Sequence, residues 1–391
     1  MRIADRLSCV RPSATFAVNA KAAELKAQGR KIVSLAIGEP DFPTPAHICK
    51  AAQHAIDEGF TRYTAVPGIP ELRRAVGTYY KRCYGLEPPV ESVLVSNGGK
   101  HSLFNYFQAM LNPGDEVLIP APYWLSYPDM VMLAGGTPVF LPVGAQEGFR
   151  LTPQKLAGAI TPKTRLCILN APSNPTGVSY SQEELDALVA CCVDKGVCVA
   201  SDEIYDRIVF APAKSVSAIR WWERCPERVA VFNGCAKSFS MTGWRVGYCV
   251  GHPKLIKAMD TIQSQSTSNI CSIAQKAALA ALEGSYDCVA EMAAAFQRRR
   301  DLALNILSSW QGVLCPKPEG AFYLFADMRC YFGKNGIADS ADLCTHFLEK
   351  AGVALVPGAA FGDDACVRFS YAVADEVLEQ ALKDMEKVLP A

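Results

Sequence analysis

Between Val93 and Val250 the chain repeats one unit, a short apolar run followed by a turn and a helical stretch. The runs lie at 93–96, 117–120, 137–141, 165–170, 197–201, 229–232 and 246–250. Their apolar residues are consecutive rather than alternate, as in strands buried on both faces. The stretch 181–195 between two of them opens with Ser181-Gln182-Glu183-Glu184, a capping box, and stops at Gly196. Alternation of this kind predicts an α/β domain built on a mostly parallel sheet of seven strands.

The flanks read differently. Residues 1–45 are expected to form an arm and loop around one strand, 32–37, ending at Gly38-Glu39-Pro40-Asp41. Thr44 is the expected cap of a helix with Pro45 in its first turn, and a second helix spans 70–84 before Gly85. Beyond about residue 288 a long helix carries Val289, Met292, Phe296 and Ala303 on one face. A strand (322–328), a helix (340–350), two short strands (353–356 and 366–369) and a last helix (374–389) follow. With 391 residues the chain exceeds what one core usually takes. The expected division is a large domain, 46–287, and a smaller α+β domain from 1–45 and 288–391.

Charge and cysteine content narrow the function classes. Lys plus Arg and Asp plus Glu both number 39, so no net field favours nucleic acid or an anionic membrane. The N-terminus is charged throughout and lacks the apolar core of a signal peptide. The longest uncharged run, 130–146, is broken by Gly135, Gly136, Pro138 and Pro142, which argues against a membrane span. The 16 cysteines include no C-x-x-C pair and the five histidines no H-x-x-x-H pair, so no zinc site is expected. Scattered cysteines in a chain of this size suit a reduced, cytoplasmic protein. No P-loop occurs, and no G-x-G-x-x-G follows a strand, which counts against nucleotide and nicotinamide enzymes.

Polar residues collect just after the apolar runs, where open parallel sheets bind ligands. Asn97-Gly98-Gly99-Lys100 follows the first run and opens a helix, an arrangement that exposes N–H groups to an anion. Asn174, Asp202, Tyr205, Lys237 and Arg245 follow later runs. Each has an ordinary reading: a turn asparagine, a capping aspartate, a solvated lysine. Together they form the set that pyridoxal phosphate needs, with an amine for its aldehyde, an anion for its ring nitrogen, donors for its phenolic oxygen and a phosphate cradle.

Eight segments in order carry a family resemblance: G-E-P-D-F (38–42), Y-T-A-V-P-G (63–68), N-G-G-K (97–100), P-Y-W (122–124), N-P-T-G (174–177), S-D-E-I-Y (201–205), the Lys237 segment with T-G-W-R-V-G (242–247), and V-R-F-S-Y-A (367–372). Over nearly its whole length the chain resembles the class I, fold-type I pyridoxal-phosphate aminotransferases. The resemblance implies that Lys237 holds the cofactor as an internal aldimine and moves the substrate's proton. It implies that Asp202 pairs with the ring nitrogen, that Asn174 and Tyr205 bond the phenolic oxygen, and that Trp124 stacks on the ring. Gly98, Gly99, Lys100 and Arg245 would serve the phosphate end, joined by Tyr63 from the other subunit of a homodimer with shared sites. Arg368 would clamp the substrate α-carboxylate, with Gly38 closing over it and Asn174 and Trp124 beside it. Many relatives have serine three residues before the lysine, where this chain has Gly234.

R-P-S-A-T (11–15), G-G-K (98–100) and Y-W-L-S-Y-P (123–128) look most like the bacterial aspartate aminotransferases, some of which accept prephenate. That likeness puts Arg11, where relatives usually have lysine, with Thr15 and Lys100 at the distal carboxylate. The implied reaction is transamination between L-aspartate and 2-oxoglutarate, possibly also with prephenate. An alanine, aromatic or broad-specificity aminotransferase is the alternative, and a carbon–sulfur lyase on the same fold a more distant one. A transcription regulator with such a domain would need a DNA-binding module ahead of residue 38, where there is no room for one.

Overall fold

All seven apolar runs are strands of one sheet in the computed structural model, which describes residues 1–10, 12 and 14–390. In chain order the strands are β1 (Val33–Ser34), β2 (Val93–Ser96), β3 (Glu116–Ala121), β4 (Thr137–Pro142), β5 (Thr164–Asn170), β6 (Cys198–Asp202), β7 (Val229–Gly234), β8 (Gly247–Val250), β9 (Tyr323–Asp327), β10 (Val353–Ala354), β11 (Val356–Pro357) and β12 (Cys366–Ser370). The large sheet has the order β2-β8-β7-β6-β5-β3-β4. Its neighbours run parallel except β8, which is antiparallel to both β2 and β7.

Side chains alternate across this sheet, and helices bury both faces. Val93, Val95, Val199, Val229 and Val231 pack into one apolar cluster with Leu72, Val76 and Leu188 from helices. Leu94, Ala200, Ala230 and Phe232 pack into another with Leu103, Phe107 and Met259. Each Val or Leu fully buried this way stabilises the fold by about 1.5–3 kcal/mol relative to exposure. The covering helices start and stop on local chemistry. Pro70–Tyr84 has proline in its first turn and ends on Gly85 at φ 80°, a left-handed cap that glycine adopts without strain. Gln182–Asp194 has the expected capping box from Ser181 and Glu184.

A second sheet, antiparallel in the order β11-β12-β9, packs with Asp287–Leu307, Ser340–Lys350 and Asp375–Glu386. Three features of the flanks depart from expectation. Residues Ala14–Ala27 form a helix, not an arm or loop. Its alanines favour a helix by propensity, but among its described side chains only Ala22 and Leu25 pack deeply. The strand expected at 32–37 shrinks to β1, paired with β10, while β11, which follows β10 in the chain, pairs with β12 in the other sheet. Thr44 does not cap the helix Ala46–Asp57; Pro45 holds the cap position. The Thr44 hydroxyl donates instead to the Ser240 carbonyl at 2.6 Å. Among the described residues no helix is long and apolar enough to cross a membrane, and no cluster of ligating side chains could hold a metal.

Candidate active site

A cleft of about 510 Å³ opens at the carboxyl ends of β5 and β6 and at the loop after β7, where Asn170, Asp202 and Lys237 line it. The register pairs Asn170 with Asp202. Asn170 uses both ends of its amide: Nδ2 donates to the Asp202 carbonyl and Oδ1 accepts from the Asn174 N–H, each at 2.9 Å. That fixes the turn carrying Asn174. The Asp202 carboxylate accepts from the Tyr127 hydroxyl at 2.6 Å and from the Ile204 N–H at 3.3 Å. Burial raises its pKa to about 6, an effect the Tyr127 bond opposes. An acid so placed gains from a cation brought to it.

Lys237 is partly buried and open to the cleft. Its amine donates to the Gly38 carbonyl at 2.5 Å, the partner that chain position alone does not reveal. Loss of water around the amine lowers its pKa to about 8; Glu39 opposes the shift, while Arg368 and Arg245 add to it. An amine near that value keeps a minority of its unprotonated, nucleophilic form close to neutrality, far more than an ordinary lysine does. Its loop is tied down on both sides. Trp244 Nε1 donates to Thr44 Oγ1 at 3.0 Å, and Thr242 Oγ1 donates to Glu39 Oε2 at 2.7 Å.

The same loop brings Arg245 over the turn after β2. Arg245 has φ 58°, a strained value for a side-chain-bearing residue, and its guanidinium donates to the Thr242 carbonyl at 2.9 Å and the Asn97 carbonyl at 3.4 Å. Gly98 lies beneath it at φ +87°, and a Cβ there would come within 2.6 Å of Arg245 Nη2. Helix Gly99–Met110 starts at this turn, so its first N–H groups and Arg245 share one edge of the cleft, a seat for an anion. Gly234 is closely packed too: a Cβ would lie 2.7 Å from the Val246 carbonyl, so a serine cannot enter without moving β8. The Lys100 amine lies 5.0 Å from the centre of the Trp124 ring, and partial burial followed by Arg245 lowers its pKa.

Opposite the lysine sits Arg368, buried at 2% exposure. Its guanidinium donates to Asn174 Oδ1 at 3.0 Å and to the Ala36 carbonyl at 2.7 Å, and Nε has no partner among the described residues. All its acceptors are neutral. A buried charge in that state calls for a carboxylate, which a guanidinium binds through two parallel bonds. Tyr205, buried, shares a hydrogen bond of 2.9 Å with the Tyr323 hydroxyl.

Of the residues singled out in the sequence, Thr15, Gly38, Gly99, Lys100, Trp124, Asn174, Asp202, Tyr205, Lys237, Arg245 and Arg368 all line this one cleft. Gly98 is not among the lining residues and packs against the Arg245 guanidinium. Tyr63 is not among the lining residues and stands 92% exposed. Arg11 lies outside the described residues. Sequence reasoning passed over Asn170, Tyr127 and Tyr323; the only local signals were the polar end of an apolar run and the tyrosine inside Y-W-L-S-Y-P. The donor set fits pyridoxal phosphate: an amine with a lowered pKa, a carboxylate that a ring cation would keep ionised, phenol and amide donors, and an anion turn.

The family model for aminotransferase class I and II matches residues 30–385. An aspartate/prephenate aminotransferase of Cereibacter sphaeroides is 50% identical, over 97% of this chain and 96% of its own length. An aspartate aminotransferase of Geobacillus stearothermophilus is 44% identical over 100% of both chains. Among solved structures, aspartate aminotransferase from Thermus thermophilus with maleate superposes with a TM-score of 0.94 at 43% identity, covering 100% of each chain. That of Rhizobium meliloti gives 0.95 at 41%, covering 100% of this chain and 99% of its own. Motif order, cleft chemistry and full-length similarity agree, and the chain belongs to the class I and II aminotransferases.

Proposed function

We propose that the protein transfers amino groups between L-aspartate and 2-oxoglutarate, giving oxaloacetate and L-glutamate, with pyridoxal 5′-phosphate as its cofactor. The observation that carries this reading is one cleft holding both the Lys237 amine, lowered to about 8, and the Arg368 guanidinium with only neutral acceptors. The first suits a carbonyl and the second a carboxylate, the two groups that an amino acid and an aldehyde cofactor bring together. The names of the Cereibacter and Geobacillus relatives support aspartate as the amino donor, and the Cereibacter name supports prephenate as a further oxo acid.

The cofactor, when bound, supplies an electron sink for the carbanion left at the substrate α-carbon. The chain's residues do the rest. Lys237 takes the proton from the substrate α-carbon through the minority of its amine that is unprotonated near neutrality, a share that grows toward pH 8. Asp202, steadied by Tyr127, holds a proton on the ring nitrogen. Asn174 and Tyr205 donate to the phenolic oxygen, and Trp124 stacks on the ring. Gly98, Gly99 and Arg245 seat the phosphate. Arg368 clamps the α-carboxylate beneath Gly38. Thr15 and Lys100, with Arg11, read the distal carboxylate. The exposed Tyr63 reaches the phosphate of a second copy, so the working form is a homodimer. It works in the cytoplasm and divides into a large unit, 46–287, and a small unit, 1–45 with 288–391; one main apolar cluster is drawn mostly from each, with Tyr205, Ile208 and Phe210 of the large unit packing into the second.

Lys237→Ala tests the reading. Borohydride should fix the cofactor to the wild-type chain at Lys237 and leave the variant unlabelled, with amino transfer lost. Retained turnover in the variant sinks the lysine assignment. Pyruvate released from cysteine conjugates without an oxo-acid acceptor would turn the reading toward a lyase.

A further inference from the structure

Tyr323 opens β9, is fully buried in the second sheet and still lines the cleft. It touches three parts of the site at once. Its hydroxyl is 2.9 Å from the Tyr205 hydroxyl. Its ring centre lies 4.6 Å from the Arg368 guanidinium carbon, with Phe361 at 4.8 Å the other ring against that group. A Cβ built on Gly38 would fall 2.9 Å from the Tyr323 oxygen, so this phenol packs directly under the backbone whose carbonyl holds the Lys237 amine.

We infer that Tyr323 is a positioning residue with two separable jobs: its hydroxyl orients the Tyr205 phenol, and its ring seats the Arg368 guanidinium. The inference rests on the functional reading above, in which Tyr205 donates into the cleft. Two phenols sharing one hydrogen bond have one donor between them. If Tyr323 donates to Tyr205, the Tyr205 proton is directed at an acceptor in the cleft and its bond is strengthened in sequence. The opposite direction would spend the Tyr205 proton on Tyr323. The ring matters for another reason. Arg368 has no anionic partner among the described residues, so its charge relies on two amide-type acceptors and on aromatic faces until a carboxylate arrives. A face on that side also holds the guanidinium plane, which sets the direction of the paired bonds to substrate.

Tyr323→Phe keeps the ring and removes the hydroxyl; Tyr323→Leu removes both. With the cofactor bound, absorbance titration of its lysine-linked proton in Tyr323→Phe should shift upward by about 0.2–0.6 of a pH unit, as a weakened Tyr205 bond stabilises the unprotonated form less. Maleate, an unreactive dicarboxylate, should bind this variant within twofold of wild type. Tyr323→Leu should weaken maleate roughly 2- to 30-fold, measured by calorimetry on cofactor-free and loaded protein alike. In a Tyr205→Phe background, Tyr323→Phe should add no further shift, which a merely structural role would not arrange. No shift in Tyr323→Phe, or the same shift with and without Tyr205, overturns the hydroxyl's job. Unchanged maleate affinity in Tyr323→Leu overturns the ring's. Failure of the functional reading shows separately, as wild-type protein that borohydride cannot label at Lys237.

Discussion

Arg299 and Arg368 are buried to nearly the same depth, 6% and 2% exposed, and both lie against aromatic rings. Their company differs in one respect. Arg299 donates to Asp41 at 2.7 Å and Asp375 at 2.8 Å, closing its charge between the G-E-P-D-F loop and the start of the last helix. Arg368 has neutral oxygens only. The first arrangement is complete and holds the fold together; the second lacks a carboxylate among the described residues, which suits the proposed role of Arg368 in binding one from the substrate.

Exchanging each arginine for leucine sets the two roles against one another. Arg368→Leu should lower kcat/KM by about a thousandfold, some 4 kcal/mol. Its urea midpoint should stay level or rise, because an uncompensated buried charge is gone. A large loss of stability would put Arg368 in the same class as Arg299. Arg299→Leu should cost roughly 3 kcal/mol in denaturant titration, removing the cation that Asp41 and Asp375 share and leaving Asp375 with Arg298 alone, while turnover per folded molecule changes less than tenfold.

The closed cluster also has an acid signature. Bonds from Arg298 lead the causes that hold Asp375 down to about 2, with Arg299 contributing, against an ordinary value of 3.8. A carboxylate depressed on folding gives stability that is fully present above the ordinary value and lost as pH falls through the folded one. Acid unfolding should therefore draw on this group between about pH 4 and 2, and Asp375→Asn should flatten that part of the curve. The smallest effect lies at the open site. Capture of pyridoxal phosphate by cofactor-free protein should rise with pH through about 8, where Lys237 loses its proton. Arg368 is among the charges lowering that amine, so Arg368→Leu should move the midpoint upward and Arg299→Leu should leave it in place. Equal shifts in both variants would mean that burial alone sets the lysine.

Much of this was legible before any coordinates. The large sheet could be read because strands covered on both faces, such as Val229–Gly234, leave uninterrupted apolar runs. The helix Ala14–Ala27 could not, because among its described side chains Ala22 and Leu25 alone pack deeply, too few to set its pattern apart from a loop. Among the site residues, Lys237 and Asp202 declared themselves by following strands. The sequence Asp202-Glu203-Ile204-Tyr205-Asp206 shows where such reading stops. Only Asp202 among these acids lines the cleft; Glu203 accepts from Ser201 Oγ and the Ala218 N–H at 2.8 Å, and Asp206 takes the hydroxyls of Tyr79 and Tyr84. Which acid meets the ligand depends on the turn after β6. Tyr323 was hidden for a related reason. Its contacts come from a strand more than a hundred residues beyond Tyr205, folded back across the cleft by the second sheet.

The close seating of the reversed strand also bears on how such a protein can be engineered. Replacing glycine by alanine is a routine route to a sturdier protein, worth about 0.4–1 kcal/mol where the backbone allows it. Here three glycines around the anion turn are closed to it. A methyl at Gly247 would fall 2.2 Å from the Gly99 nitrogen, one at Gly98 would meet Arg245, and one at Gly234 would meet β8. Any lineage that improved its thermal tolerance at those positions would first have to slide a strand and so reshape the turn proposed to seat the phosphate. Selection for durability and selection for chemistry therefore act on the same few atoms, and variation that raises stability should accumulate on the far side of the sheet.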